Sequence, residues 1–190
     1  MTRYADDFVA AFRFHKDAAK FYKKLPSRFA EFGLELAKDK TRKLMFNRFD
    51  RFRSETFVFL GYEFRRALSR MGKADIVSTK MCRKRLHRTV NIFAQWCRDH
   101  RDRRIAWIMG MVKAKLTGIR NYFNIPGNTC RMREVETLFR RKLFFWLNRR
   151  SERKSYNLKT FTIMWKQFLY KDRRSLVNQG IQMNFLSSLV

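Results

Sequence analysis

The run Arg3-Tyr4-Ala5-Asp6-Asp7-Phe8-Val9-Ala10-Ala11-Phe12 sets two adjacent acids between strand-forming, mostly apolar residues. It reads as two short strands joined by a tight turn that carries the acids. Two chemistries suit such a pair. Carboxylates held at a turn are the oxygen ligands that Mg²⁺ requires. Asp-Asp is also good turn chemistry with no metal involved. The rest of the chain has to decide between them.

Downstream, Ala18, Phe21, Tyr22, Leu25, Phe29 and Phe32 recur at three- and four-residue steps, which predicts an amphipathic helix over His15 to Phe32. Pro26 predicts a kink or a split near Leu25, and Gly33 suits a C-cap. A short extended piece from Leu34 leads to a turn, and Arg42 to Phe49 alternates loosely as a strand. Thr56 to Phe64 is rich in β-formers, with Gly61 inside it as a bulge or a point of close backbone approach. Residues 1–66 therefore read as β-hairpin, helix, strand, strand, a small α+β unit. Residues 67–77 contain Gly72 and no periodicity, and read as a linker, after which Ser78 or Thr79 can cap a helix.

From there to residue 169 the pattern is helical. Met81, Leu86, Val90, Phe93 and Cys97 make a first face; Ile105, Met109, Val112, Leu116 and Ile119 a second. Turn chemistry from Asn121 to Asn128 separates a third, with Val135, Leu138, Phe139, Leu143 and Trp146, and Phe161, Trp165 and Phe168 mark a short fourth. Residues 170–190 show no pattern and read as an irregular tail.

Charge separates the two halves. The 190 residues carry a formal net charge of +28. Residues 1–66 hold 16 basic and 9 acidic side chains, whereas residues 80–150 hold 19 basic and 4 acidic. Such an excess calls for a polyanionic partner, with nucleic acid first and an anionic membrane surface second. The second is disfavoured because the aromatic residues fall on core faces and no separate lipid-facing stripe exists. Cys82, Cys97 and Cys130 form no CxxC pair, which argues against a zinc site or disulfide framework and for a reducing compartment. With no signal-peptide core and no long apolar run, secretion is not expected; the cytoplasm or an organellar matrix is.

Four stretches, in order, resemble the C-terminal part of the reverse transcriptases encoded by group II introns, the intron maturases. Arg3 to Val9 resembles the palm catalytic turn. Phe32-Gly33-Leu34-Glu35-Leu36 with Lys40-Thr41 resembles the next palm motif, and Phe59-Leu60-Gly61-Tyr62 the primer grip. Tyr122-Phe123, Pro126-Gly127-Asn128 and Trp146 to Ser151 resemble the maturase thumb. The resemblance implies a partial reverse-transcriptase palm followed by an all-α thumb of about four helices. It implies an RNA-directed DNA polymerase in which two Mg²⁺ ions, ~3.5–4 Å apart, stabilise attacking and leaving oxygens. In that scheme Asp6 and Asp7 are metal ligands, Tyr4 and Ala5 lie at the primer end and incoming nucleotide, and Lys40 approaches the nucleotide phosphates. Leu60, Gly61 and Tyr62 hold the primer. The partners are structured intron RNA and an RNA template with its DNA primer.

The family's palm also carries a further aspartate and finger elements that this sequence lacks. A truncated, split or decayed gene product is therefore expected, with the two-metal site incomplete unless a separate N-terminal half supplies the rest. The alternative function is a non-catalytic maturase module that binds RNA and assists intron folding. Its candidate phosphate contacts are Arg83, Lys84, Arg85, Arg88, Lys113, Lys115, Arg120, Arg149 and Arg150. Tyr122 and Phe123 are candidates for stacking on unpaired bases, while Phe139 and Trp146 read as core.

Overall fold

The computed structural model describes residues 1–37, 39–46, 55–69, 71–72, 75–153 and 155–170. The chain is α+β and divides into two compact units, Met1–Cys82 and Arg83–Val190. The first unit opens with an antiparallel hairpin, β1 (Thr2–Tyr4) and β2 (Asp7–Val9), in the register Thr2↔Val9, Tyr4↔Asp7. Helix α1 (His15–Ala30) follows. A three-stranded antiparallel sheet of β3 (Phe57–Phe59), β4 (Tyr62–Leu68) and β5 (Asp75–Met81) completes the unit, in the order β3-β4-β5.

Three expectations for this unit are corrected. Helix α1 is continuous through Pro26 rather than split. Proline removes one helical N–H and crowds the preceding turn, but aromatic contacts fasten the helix on both sides of it. Phe21 lies against Phe12 at 5.1 Å and Phe29 against Phe8 at 6.3 Å between ring centroids. Its end is as expected: Gly33 has φ +67°, Leu34 N–H donates to Phe29 O and Gly33 N–H to Ala30 O, each at 3.0 Å. This is a Schellman closure, which only a residue at ease in the left-handed region supports cheaply.

The second correction concerns residues 56–64. They form two strands, with Leu60-Gly61 as a two-residue turn at φ +51° and +78° rather than a bulge in one strand. Positive φ at both positions suits the right-handed twist of the strands. Phe57 and Phe64 stack directly across the hairpin, centroids 5.0 Å apart. The third concerns the expected linker, residues 67–77. Ala67 and Leu68 end β4 and Asp75 to Val77 begin β5, paired Ala67↔Ile76 and Leu68↔Asp75. Ser78 and Thr79 therefore sit in a ladder and do not cap a helix. The expected strand 42–49 lies partly outside the described residues. Residues 42–46 form no strand, although Glu55 N–H donates to Met45 O at 2.8 Å.

The second unit holds α2 (Arg83–Asp99), α3 (Ile105–Phe123), α4 (Thr129–Leu147) and α5 (Leu158–Tyr170), the four helices expected. Each buries most of the stripe that its periodicity marks: Leu86, Val90, Phe93 and Cys97; Met109, Val112 and Leu116; Val135, Phe139 and Leu143; Phe161 and Trp165. Met81, expected on the first helical face, ends β5 instead, and Ile105, Ile119, Leu138, Trp146 and Phe168 are half-buried. Phe93 lies flat on Phe139, centroids 3.8 Å apart and planes 3° from parallel. The α3–α4 turn is closed by Asn128, fully buried, whose Nδ2 donates to Phe123 O at 2.6 Å. Asn157 caps α5, accepting from Thr160 N–H at 2.8 Å. Among the described residues the first unit buries only Leu25, Met81 and Cys82.

The Phe93–Phe139 contact generates an expectation. Phe139→Ala should destabilise the chain by ~3–5 kcal/mol in urea unfolding followed by helical circular dichroism. A loss below about 1 kcal/mol would show that α2 and α4 do not depend on this stack.

Candidate nucleic-acid interface

The hairpin delivers the two carboxylates as the sequence leads one to expect. Ala5-Asp6 is the turn, Asp7 is the first residue of β2, and both acids are exposed. Ala5 has φ +48°, a strained value for a residue with a Cβ. Arg3 Nε donates to Ala5 O at 2.9 Å and steadies the turn. Tyr4 is exposed beside it, and Lys40 is exposed in a separate turn whose N–H donates to Ala37 O at 3.0 Å.

Leu60, Gly61 and Tyr62 belong to the other sheet, half-buried, with Gly61 O accepting from Cys82 N–H at 2.9 Å. Among the described residues no group of three or more His, Cys, Asp or Glu gathers as a metal would need. Two neighbouring, water-exposed carboxylates are a donor set for one weakly held, mostly hydrated Mg²⁺ at most. They do not fit a two-ion centre by themselves.

The nine cations marked by sequence fall into two groups. Arg83, Lys84, Arg85 and Arg88 are exposed along the start of α2, and Arg149 is exposed after α4. The first turn of α2 contains no acid, nor do those of α3, α4 and α5. Helix N-termini already carry partial positive charge. Cations at the start of α2 and Arg104 at the N-cap of α3 add to it, whereas Arg131 in the first turn of α4 is paired with Glu134 at 2.6 Å.

The remaining candidates are drawn inward. Arg120 pairs with Glu136 at 2.7 Å, and Glu136 also accepts from Tyr170 Oη and from Trp165 Nε1 at 3.5 Å. Arg150 Nη2 donates to Arg103 O at 2.8 Å. Lys113 and Lys115 are half-buried. Lys115 Nζ lies 5.0 Å from the centre of the Trp96 ring; burial lowers its pKa, against an opposing influence from Cys97.

Aromatic residues complete the surface, some in places that periodicity did not reveal. Phe123 is buried and Tyr122 exposed, so of the two expected stacking residues only Tyr122 is presented. Trp146 is half-buried rather than core, with Arg101 6.0 Å and Arg149 5.9 Å from its ring centre. Arg149 also sits 3.9 Å from the centre of Phe145. Trp96, His100 and Trp107 stack on one another with centroids 5.1 to 6.1 Å apart. Trp96 and His100 were legible as an i, i+4 pair on α2; Trp107 comes from α3 and gave no local signal.

Protein-family models, curated proteins and solved structures yield no match to this chain. No helix among the described residues is long and apolar enough to cross a membrane.

The cysteines give a direct check of this packing. Burial pushes the Cys97 thiol up to about 12, partly offset by Lys115, whereas Cys130 is exposed. At pH ~8 a thiol reagent should label Cys130 rapidly and Cys97 only after unfolding. An unfolded thiol ionises near 9 and the folded one near 12, so Cys97's contribution to stability is complete below about 9 and falls as pH rises towards 12. Equal labelling rates in the native chain, mapped by mass spectrometry, would contradict the burial.

Proposed function

We propose that the chain is an RNA-binding protein of the group II intron maturase type, its helical unit gripping structured RNA. The observation that carries this reading is the charge of α2: Arg83, Lys84 and Arg88 are exposed at a helix start without an acid in the first turn. Intramolecularly the arrangement is unfavourable, since cations sit at the positive end of a helix dipole. A phosphate backbone relieves it and releases counterions. Arg149 and Tyr122 are exposed as well, Arg149 beside Arg101 at the C-terminal ends of α4 and α2. The four ordered sequence resemblances supply the family.

In this reading the first unit is part of a reverse-transcriptase palm. Asp6 and Asp7 are two ligands of its Mg²⁺ site; Tyr4, Ala5 and Lys40 face the nucleotide and primer end; Leu60, Gly61 and Tyr62 form the primer grip. Polymerisation needs a further carboxylate beside Asp6 and Asp7. The chain alone then acts as an RNA-binding module, without polymerase activity.

Binding of a labelled structured RNA tests this. Replacing Arg83, Lys84 and Arg88 together by Ala should weaken binding about tenfold or more at low salt and lower the log–log salt slope by about three. Unchanged affinity would overturn the reading. Primer extension by the purified chain on an RNA template should yield no product; robust Mg²⁺-dependent synthesis would refute the part that denies it polymerase activity.

A further inference from the structure

One apolar groove lies open on the helical unit. It runs between α2 and α4, has a volume of about 430 Å³, and is lined by Ala94, Leu138, Arg141, Lys142, Phe145 and Trp146. Its size is in the usual range of small-ligand clefts, roughly 300–1,000 Å³. Leu138, Arg141, Lys142, Phe145 and Trp146 follow helical spacing beside the α4 stripe that packs into the core, so the groove is a second face of the same helix.

The walls differ sharply in character. Phe145 is 44% exposed, unusual for a Phe next to a packed helix pair. Its ring meets Trp146 edge-on, centroids 5.2 Å apart at 87°. The charged residues in the lining, Arg141 and Lys142, are both cations, and both are exposed. Arg149 covers one face of Phe145, 3.9 Å from its centre, and Arg101 lies 6.0 Å from the centre of Trp146, so a base stacks on Phe145 by its other face or by drawing Arg149 onto the phosphate. No acid lines the groove.

We infer that this groove takes one unpaired base of single-stranded RNA, with Arg141, Lys142 and Arg149 on the flanking phosphates. The inference rests on the RNA-binding reading and specifies the form of RNA that this face selects. A nucleotide presents a flat apolar face and an anionic link on each side. That matches an aromatic floor with a purely cationic rim. An apolar helix from another protein would use the floor and leave three cations unanswered. A duplex cannot use it, because paired bases already cover one another's faces. Stacking on aromatic side chains is tolerant of sequence, so the groove distinguishes strandedness rather than base identity.

The experiment uses the full chain, a labelled oligoadenylate of about ten nucleotides and an RNA duplex of the same length, titrated at one fixed salt concentration. Phe145→Ala is expected to weaken single-strand binding about tenfold and leave duplex binding within about twofold. Phe145→Trp, which keeps an aromatic face, should retain most of the affinity, and circular dichroism should show native helix content in both variants. Replacing Arg141 and Lys142 by Ala should weaken the single strand and reduce its salt slope by about 1.4.

If Phe145→Ala weakens both RNAs equally, or neither, the groove is not a base site although the RNA-binding reading stands. If sedimentation shows a dimer that Phe145→Ala dissociates, with RNA binding unchanged, the groove belongs to a second copy and the inference falls. If the unaltered chain binds a structured RNA but neither of these, the inference alone falls; if it binds none of the three, the RNA-binding reading falls with it.

Discussion

Phe93 lies flat against Phe139, and the helical unit is assembled around that contact between α2 and α4. It brings together two helices that carry many cations on their outer faces. Bringing like charges together is unfavourable, and the apolar stripes of α2 to α5 must offset it. They do so with a continuous set of large buried side chains, among them Phe139, Phe161, Trp165, Leu143 and Leu147. The same contact leaves the groove at Phe145 and Trp146 open beside it. Core and candidate binding face are therefore adjacent strips of one helix.

Three acids of this unit, Glu136, Glu134 and Asp99, are used inside it. Glu136 gathers Arg120, Trp165 and Tyr170, tying α3, α4 and α5 together. Glu134 pairs with Arg131 within α4, and Asp99 accepts from Gln95 within α2. None of these reaches the start of α2, where the exposed cations concentrate. Arg83, Lys84 and Arg88 there are the cations that the proposed RNA contact uses.

The helices of the second unit were legible because each buries one stripe at the α-helical period. The turn at Asp6 and Asp7 was legible because strand-formers flank it on both sides. What sequence concealed has physical causes. β5 carries exposed Ile76 and Val77 and follows Gly72, so nothing in its composition separates it from a linker until it pairs with β4. Leu60 adopts positive φ, which its side chain disfavours, so Gly61 alone suggested a bulge rather than half of a turn. Cations that serve the fold could not be told from free ones, since Arg120 meets Glu136 sixteen residues on and Arg150 meets the Arg103 carbonyl 47 residues back. Such partners exist only once the helices have packed.

The two units differ in self-sufficiency. The second has a core, whereas the first leaves Phe14, Phe32, Leu34 and Val58 exposed around its hairpin, helix and sheet. The central proposal concerns the second: its fold is held against its own charge, which a bound RNA would relieve. Thermal melting of the helical signal tests this most directly. At about 50 mM salt a structured RNA should raise the melting temperature by several degrees, and near 1 M salt the RNA should add nothing. Identical melting with and without RNA at low salt would contradict the account.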